Sequence, residues 1–395
     1  MAAPMNRRNW LKASTLLTGG LAFVPGTWNR LEASPANDTP KGSTPAADKF
    51  VSDAALIGDN PPALKARLSA NENPFGPSEK AKKALVDAID KSYQYPMKSL
   101  MTLTENIATY EGVKPENVML GAGSGPLLQA AVAYFGKMGG NLISGDPTYG
   151  NIPNDMTEYF KTTWKKVPLT SDYKLDLDAM EKAIDDKTVL MYICNPNNPT
   201  GTTVDSAKLK GFCERVSKRV PVFVDEAYID YMDNPKDASV MGLVAKGHNV
   251  MVARTFSKLY GFAGLRVGYM VAQTPMLEAF KPYSKGGRSI SATSGSAALA
   301  SYNDTEFLQD ALKKTTESKE YLYKVLKKQG YDYIPSSTNF VLFPIKMDGK
   351  KFTEEMMNRG VSVRFWKFSD KDWCRVSIGL MDEMKAFEEA FVQIA

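Results

Sequence analysis

Short apolar runs of strand length alternate with helical segments through the middle of this chain. The run NVMLG leads into the glycine-rich turn GAGSGP, and the helical pattern PLLQAAVAYFGK follows. Further runs occur in NLISGD, TVLMYIC, VPVFVD, NVMVART and VGYMVAQ. Strands that are separated by helices imply right-handed crossovers and parallel pairing. The sequence therefore predicts an α/β fold whose large domain has a mostly parallel sheet flanked by helices.

The pattern changes at about residue 276. A long charged helical stretch, DTEFLQDALKKTTESKEYLYKVLKKQG, precedes the short apolar runs TNFVLFPI, VSVRFW and WCRVSIG. This change predicts a second, smaller α+β domain, for which a chain of 395 residues has room. The predicted organisation is an N-terminal signal at 1–33, a flexible linker at 34–60, an arm at 61–90 that joins the small domain, a large ligand-binding domain at 91–275 and the small domain at 276–395.

The first 33 residues resemble a bacterial twin-arginine export signal. Arg7 and Arg8 precede Trp10-Leu11-Lys12 and a modest apolar run that glycines interrupt. That run is too short for a stable membrane span. The alternative is an ordinary amphipathic N-terminal helix. The signal predicts a bacterial, periplasmic protein that uses the twin-arginine export machinery, and residues 34–60 read as a linker rich in Ala, Pro, Ser and Thr.

Charge, histidine and cysteine content exclude several classes of function. The net charge is +5, of which residues 1–33 carry +3, so the body is too weakly basic for a nucleic-acid-binding protein. The single histidine, His248, argues against a histidine-based triad or a metal site with several histidines. Cys194, Cys213 and Cys374 are far apart in apolar segments and predict buried free thiols.

Polar residues follow several of the predicted strands. Ser124, Tyr149, Asn198, Asp225 and Lys258 all lie at or just beyond the carboxyl end of a strand. Open α/β sheets bind their ligands at that edge. We therefore expect these five side chains to converge on one crevice.

Asp225 ends the apolar run VPVFV, where a carboxylate needs a partner. A protonated ring nitrogen of a cofactor would be such a partner, and Asp225 would then stabilise an electron sink. The alternatives are a helix N-cap and a metal ligand. Because only Glu226 supplies a nearby second ligand, metal is disfavoured and no metal is predicted.

Other segments predict a phosphate site beside an aromatic ring. The turn GAGSGP opens a helix whose exposed amides suit a phosphate, and Arg266 can clamp the phosphate in bidentate fashion. Thr255 and Ser257 can add hydroxyl donors, and Tyr149 can stack on a ring. Asn198, in NPNNPTG, is either a ligand of a cofactor oxygen or part of a structural turn, in which an Asn-Pro bond can be cis.

These parts fit one ligand, pyridoxal 5'-phosphate, which has a phosphate, a ring nitrogen, a phenolic oxygen and an aldehyde. Lys258, in RTFSKLYGFAGLR, would form the Schiff base with the aldehyde. A lysine at the mouth of an apolar strand and close to an arginine has a reason for a lowered pKa.

Seven motifs occur in an order that resembles one family. They are LSANENPFGP, YQYP, DPTYG, NPNNPTG, DEAY, TFSKLYGFAGLRVG and CRVSIG. Over about residues 60–395 the chain resembles the fold-type-I pyridoxal-phosphate aminotransferases, and within them most closely the histidinol-phosphate aminotransferase branch. The resemblance implies the fold of aspartate aminotransferase and a homodimer with active sites at its interface.

The resemblance also implies a role for each matching residue. Lys258 would bind the cofactor and move protons, and Asp225 would pair with the ring nitrogen. The remaining cofactor contacts that it implies are Tyr228 and Asn198 at the phenolic oxygen, Tyr149 on the ring, Ser124, Gly125, Thr255, Ser257 and Arg266 at the phosphate, and Tyr95 at the phosphate in the neighbouring subunit. For the substrate it implies Arg375 at the α-carboxylate, Arg364 at a distal phosphate and a contact from Asn198. The catalytic residues that it implies are Lys258, Asp225 and Tyr228.

The predicted reaction is transfer of an amino group between an amino acid or amine and a 2-oxo acid. A decarboxylase, lyase or cyclase is the first alternative, because the same cofactor chemistry serves each of them. An exported binding or structural protein without activity is the second, and the presence of Lys258, Asp225 and Arg266 argues against it. The segments FWKFSDKDWC and KPYSKGGRS depart from the family pattern and predict a distinct substrate choice.

Overall fold

The computed structural model describes residues 63–395. The predicted export signal at 1–33 and the linker at 34–60 lie outside the described residues. Within residues 63–395, no helix is long and apolar enough to cross a membrane.

The larger sheet has seven strands in the order β2-β8-β7-β6-β5-β3-β4. Strands β4, β3, β5, β6 and β7 pair in parallel, whereas β8 is antiparallel to both β7 and β2. The mostly parallel sheet is therefore confirmed. Its strands are β2 (Val118–Gly121), β3 (Asn141–Asp146), β4 (Thr163–Pro168), β5 (Thr188–Cys194), β6 (Val222–Asp225), β7 (Val250–Thr255) and β8 (Gly268–Val271).

Strand β4 was not among the strands that the sequence predicts. Its residues, TWKKVP, include Lys165 and Lys166, and only Val167 is buried. It lies at the edge of the sheet, where one side is open and charged residues are common. A search for apolar runs misses such a strand.

The central strands are buried on both faces. Val222, Val224 and Val252 pack into one apolar layer, while Phe223 and Met251 pack into the opposite one. This is the pattern of a sheet covered by helices on both sides. The helices of this part are α1 (Glu79–Asp87), α2 (Met97–Glu111), α3 (Gly125–Gly136), α4 (Asn151–Phe160), α5 (Leu177–Lys182), α6 (Ser206–Val216), α7 (Pro235–Ala238), α8 (Gly242–Ala245) and α9 (Thr274–Phe280).

A smaller antiparallel sheet, in the order β11-β12-β9, has its own core, which includes Phe343, Phe352 and Phe391. Near the start of the described chain, β1 (Ala66–Arg67) pairs in parallel with β10 (Val361–Ser362). The domain boundaries given above stay a prediction. The other elements of this part are α10 (Ala292–Ser301), α11 (Thr305–Lys328), β9 (Phe340–Pro344), α12 (Gly349–Asn358), β11 (Arg364–Phe368), β12 (Lys371–Ser377) and α13 (Met381–Phe391).

Candidate active site

The carboxyl ends of β5, β6 and β7 bring together residues from three of the motifs. Asp225 is the last residue of β6, Lys258 follows the end of β7, and Asn198 lies in the loop after β5. Arg375 reaches the same place from β12 of the small sheet and contacts Asn198. The crevice at this edge therefore includes residues from both sheets.

The amine of Lys258 lies in a partly buried setting. Its Nζ donates a hydrogen bond to the main-chain oxygen of Asn71 at 3.0 Å. Burial lowers the pKa of Lys258 to about 8, and the positive charge of Arg375 acts in the same direction. Arg266 adds to this effect less strongly, while the carboxylates of Glu72 and Asp225 oppose it. The predicted lowering of the pKa is confirmed, with Arg375 as the more effective arginine.

Asp225 is almost fully buried, with 2% of its surface exposed. Burial raises its pKa to about 6, although the N–H of Ala227 and the charge of Lys258 favour the ionised form. That N–H donates to Asp225 Oδ1 at 3.1 Å. The short 3-10 helix that follows is capped by Tyr228, so the N-cap alternative for Asp225 is wrong. In the described part of the chain no group of acidic, cysteine or histidine residues could hold a metal ion.

Tyr228 lies beside Lys258, whose Nζ is 5.3 Å from the centre of the phenol ring. Its hydroxyl accepts a hydrogen bond from Asn71 Nδ2 at 3.0 Å. The ring of Phe340 packs edge-on against it, with 5.1 Å between the ring centres. These contacts fix the position of the phenol, and burial raises the pKa of Tyr228, so the hydroxyl stays protonated.

Asn198 and Arg375 form a buried contact. Arg375 Nη1 donates to Asn198 Oδ1 at 2.6 Å, and its Nη2 donates to the main-chain oxygen of Ser69 at 2.9 Å. The guanidinium also lies 5.4 Å from the ring centre of Phe340 and 5.9 Å from that of Trp366. The loop that carries Asn198 contains two cis Asn-Pro bonds, as the sequence allows.

Arg364 is the direct partner of Arg375 in the pairing of β11 with β12. Residues opposite each other in adjacent strands present their side chains on the same face of the sheet. Arg364 is half-buried, whereas Arg375 is 3% exposed. Two guanidinium groups thus start from neighbouring positions on one face.

The predicted phosphate site is assembled from two segments. Arg266 Nη1 donates to Ser257 Oγ at 3.1 Å, and Thr255 Oγ1 donates to the same oxygen at 2.9 Å. Since Ser257 Oγ accepts from both groups, its own proton is available to a ligand oxygen. The glycine turn lies against the same guanidinium, because a Cβ on Gly123 would collide with Arg266 Nη2.

Ser124 and Gly125 lie where the glycine turn becomes a helix. Ser124 is the N-cap of α3, yet its side chain makes no capping hydrogen bond, and Gly125 is the first helical residue. The first amides of this helix lack partners within it and suit a phosphate.

The two remaining tyrosines differ in their setting. Tyr149 follows β3, is half-buried and packs against the apolar layer beneath the sheet. Tyr95 precedes α2 and is 90% exposed. Within residues 63–395, the fold does not bring Tyr95 to the other site residues.

Asn71 is a site residue that the sequence patterns did not reveal. It lies in the motif LSANENPFGP, and its φ of 54° is in the left-handed region that asparagine tolerates better than most residues. Its main-chain oxygen also accepts from Asn339 Nδ2 at 3.1 Å, and its main-chain N–H donates to Ser377 Oγ at 2.7 Å. The motif was the available signal, but nothing in it indicated these long-range contacts.

The comparisons with known proteins identify the family. Residues 64–390 match the family model "Aminotransferase class I and II". This chain belongs to that family. The prediction of a pyridoxal-phosphate-dependent aminotransferase is therefore confirmed.

Relatives of this aminotransferase include histidinol-phosphate aminotransferases. It is 35% identical over 315 residues to histidinol-phosphate aminotransferase 2 of Carboxydothermus hydrogenoformans, covering 79% of this chain and 86% of the relative. Its fold is similar to that of histidinol-phosphate aminotransferase from Sinorhizobium meliloti in complex with pyridoxal-5'-phosphate (TM-score 0.79, 26% identity, covering 92% of this chain and 100% of the other). An aspartate aminotransferase of Thermus thermophilus with maleate shares the fold at 20% identity (TM-score 0.73, covering 84% and 92%). The aspartate-aminotransferase-like fold is thus confirmed.

The residues present fit pyridoxal phosphate. A buried carboxylate suits a ring nitrogen, and the hydroxyls of Ser257 and Tyr228 suit acceptor oxygens. The glycine turn at Gly123 lies directly against the guanidinium of Arg266. A phosphate at this turn could therefore contact both the main-chain amides and the guanidinium.

Proposed function

We propose that this aminotransferase acts on an amino acid that carries a second anionic group, and that a 2-oxo acid completes its cycle. The observation that supports this proposal is the pairing of Arg364 directly opposite Arg375. One arginine can bind the α-carboxylate, and its neighbour can bind a distal carboxylate or phosphate.

Eight side chains and one main-chain amide would hold the cofactor. Asp225 would bind the protonated ring nitrogen, and Tyr228 and Asn198 would bind the phenolic oxygen. Tyr149 would stack on the ring. The phosphate would lie among Arg266, Ser257, Thr255, Ser124 and the first amide of α3 at Gly125.

When bound, pyridoxal phosphate supplies an aldehyde for the amine and a ring that withdraws electrons from the substrate Cα. Lys258 would be the nucleophile toward that aldehyde, because its lowered pKa leaves much of the amine neutral near pH 8. The amine Nζ of Lys258 would also serve as the general base that takes the proton from the substrate Cα. Asp225, in its ionised form, would keep the ring nitrogen protonated.

Arg375 orients the substrate. Its guanidinium is held by Asn198 and by the main chain at Ser69, so it meets a carboxylate in a fixed position. A fixed carboxylate limits the rotation of the substrate and directs its Cα–H bond toward Lys258.

A panel of amino acids tests this function. The loaded enzyme should lose its visible absorbance with each substrate and release one equivalent of the matching 2-oxo acid. Acidic or phosphorylated amino acids should react with a higher kcat/KM than neutral ones. Release of carbon dioxide or ammonia instead of the 2-oxo acid would support a decarboxylase or lyase and contradict the proposal.

Arg364→Gln makes the test specific to the second anion. It should lower kcat/KM for a dianionic substrate about 10²-fold, while a neutral amino acid changes little. Lys367→Gln is the matched control, because Lys367 is on the same strand but faces the opposite side and is exposed. Equal losses for both substrate classes in Arg364→Gln would contradict the role of Arg364.

We further propose that the enzyme is a homodimer in which Tyr95 contacts the cofactor phosphate of the neighbouring subunit. Tyr95 is highly exposed, and so are the nearby apolar side chains of Tyr93, Met97 and Met101. Exposed apolar side chains are often found at an interface between subunits. Sedimentation should give a dimer, and Tyr95→Phe should weaken binding of the cofactor; a fully active monomer would contradict this proposal.

Export through the twin-arginine pathway is a further proposal, based on Arg7, Arg8 and the residues after them. That pathway moves folded proteins, which suits an enzyme that loads its cofactor before export. Fractionation of cells should find the mature chain in the periplasm and the Arg7→Lys/Arg8→Lys variant in the cytosol. A wild-type chain that stays in the cytosol with residues 1–33 retained would contradict it.

A further inference from the structure

Asn71 has two roles at the site that the motifs did not indicate. Its main-chain oxygen accepts from Lys258 Nζ at 3.0 Å, and its side-chain Nδ2 donates to the hydroxyl of Tyr228 at 3.0 Å. It is 1% exposed. One residue therefore contacts both the reactive lysine and the tyrosine proposed to bind the phenolic oxygen.

The hydrogen bonds of this network run in one direction, from Ser377 through the side chain of Asn71 to Tyr228. Ser377 Oγ accepts from the main-chain N–H of Asn71 at 2.7 Å, and its own proton goes to Asn71 Oδ1 at 3.0 Å. The side-chain amide of Asn71 thereby has its oxygen toward Ser377 and its NH₂ toward Tyr228. In this orientation Tyr228 accepts from Asn71, and its own proton is left to donate elsewhere.

The main chain of Asn71 is held independently of its side chain. Asn339 Nδ2 donates to the oxygen of Asn71 at 3.1 Å and to that of Glu72 at 3.2 Å. The φ of 54° is one that glycine adopts without strain. Replacement by glycine should therefore keep the contact of the main-chain oxygen with Lys258 and remove the side-chain contacts with Tyr228 and Ser377.

We propose that Asn71 is a positioning residue that makes Tyr228 a hydrogen-bond donor toward the phenolic oxygen of the cofactor. A hydroxyl that accepts one hydrogen bond becomes a stronger donor in the next. The donation draws negative charge from the phenolic oxygen and so lowers the proton affinity of the nitrogen that joins the cofactor to Lys258. This inference rests on the proposed contact of Tyr228 with the cofactor.

The test is a spectrophotometric pH titration of the loaded enzyme without substrate, in which the visible band reports protonation of that nitrogen. Tyr228→Phe should move the midpoint upward by about one pH unit. Asn71→Gly should move it in the same direction by roughly 0.3 of a pH unit. Lys161→Gly is the matched control, because Lys161 has a φ of 58° outside the site, and its midpoint should equal that of the wild type.

The double variant decides whether Asn71 acts through Tyr228. In the Tyr228→Phe background, Asn71→Gly should add no further shift. A shift of the same size in both backgrounds, or no shift in Asn71→Gly alone, would overturn the inference about Asn71. An unchanged midpoint in Tyr228→Phe would instead overturn the proposed role of Tyr228. The thermal unfolding of the cofactor-free variants shows that each protein is folded.

Discussion

Arg375 in the small sheet donates a hydrogen bond of 2.6 Å to Asn198 in the loop after β5 of the large sheet. Both side chains are almost fully buried. The contact ties the residue proposed to bind the substrate carboxylate to one proposed to bind the cofactor. The position of the substrate relative to the cofactor therefore depends on the packing of the two sheets against each other.

Removal of the Arg375 guanidinium should impair the reaction strongly. Arg375→Gln should lower kcat/KM by about 10²- to 10³-fold, because a buried charge-assisted contact to the carboxylate is lost. Steady-state kinetics with an amino acid and a 2-oxo acid measure the change. Arg359→Gln, which removes an arginine from a partly exposed pair with Glu355, is the control and should stay near wild type. A similar small loss in both variants would contradict the role of Arg375.

The turn before α3 tolerates only glycine at position 123. Gly123→Ala should weaken cofactor binding, because the added Cβ displaces the Arg266 guanidinium, and should also destabilise the fold by about 1–2 kcal/mol through its left-handed backbone. Gly139→Ala is the control, because Gly139 also has a left-handed backbone but open space around its Cβ position. This variant should lose stability without losing affinity for the cofactor. Equilibrium dialysis and denaturant unfolding separate the two effects. Equal cofactor affinity in the two variants would argue against a phosphate at this turn.

The reactivity of Lys258 should depend on pH in the cofactor-free enzyme. Since its pKa is lowered to about 8, acylation by an amine-specific reagent should rise as the pH rises through about 8. Arg375→Gln removes a like charge, so the midpoint should move to higher pH. Quantitative peptide mapping follows Lys258 and, as the control, Lys208, whose pKa is raised by its bond to Asp178. A midpoint that is the same for both lysines would contradict the account of Lys258.

Cofactor affinity should fall in mildly acidic solution. The pKa of Asp225 is raised to about 6 in the free enzyme, and a cationic ring nitrogen would lower it in the loaded one. Cofactor binding then releases a proton below about pH 6. The affinity for the cofactor is therefore highest above that pH and decreases as the pH falls through it. Asp225→Asn cannot titrate, and the difference between its dialysis profile and that of the wild type isolates this effect. Parallel profiles would show that Asp225 does not respond to the ring.

Much of the site could be predicted because parallel strands end at a common edge. Asn198, Asp225 and Lys258 follow strands whose apolar runs are continuous, and the sheet places those ends together. The same reasoning failed for β4, which lies at the edge of the sheet and carries lysines in place of an apolar run.

Contacts between distant parts of the chain could not be predicted from local sequence patterns. Asn71 and Ser377 are 306 residues apart, and their meeting depends on the packing of the arm against the small sheet. The direction of the pKa shift of Lys258 could be foreseen from an apolar strand and a nearby arginine. The stronger effect of Arg375 could not, because that residue comes from another sheet.

The most direct test of the account is chemical identification of the residue that binds the cofactor. The loaded enzyme is reduced with borohydride, digested, and analysed by mass spectrometry, with Lys258→Ala treated in parallel. We predict a single pyridoxyl-modified peptide that carries the modification on Lys258, and no such peptide in Lys258→Ala. A modification on a different lysine, or the same labelled peptides from both proteins, would contradict the assignment of Lys258.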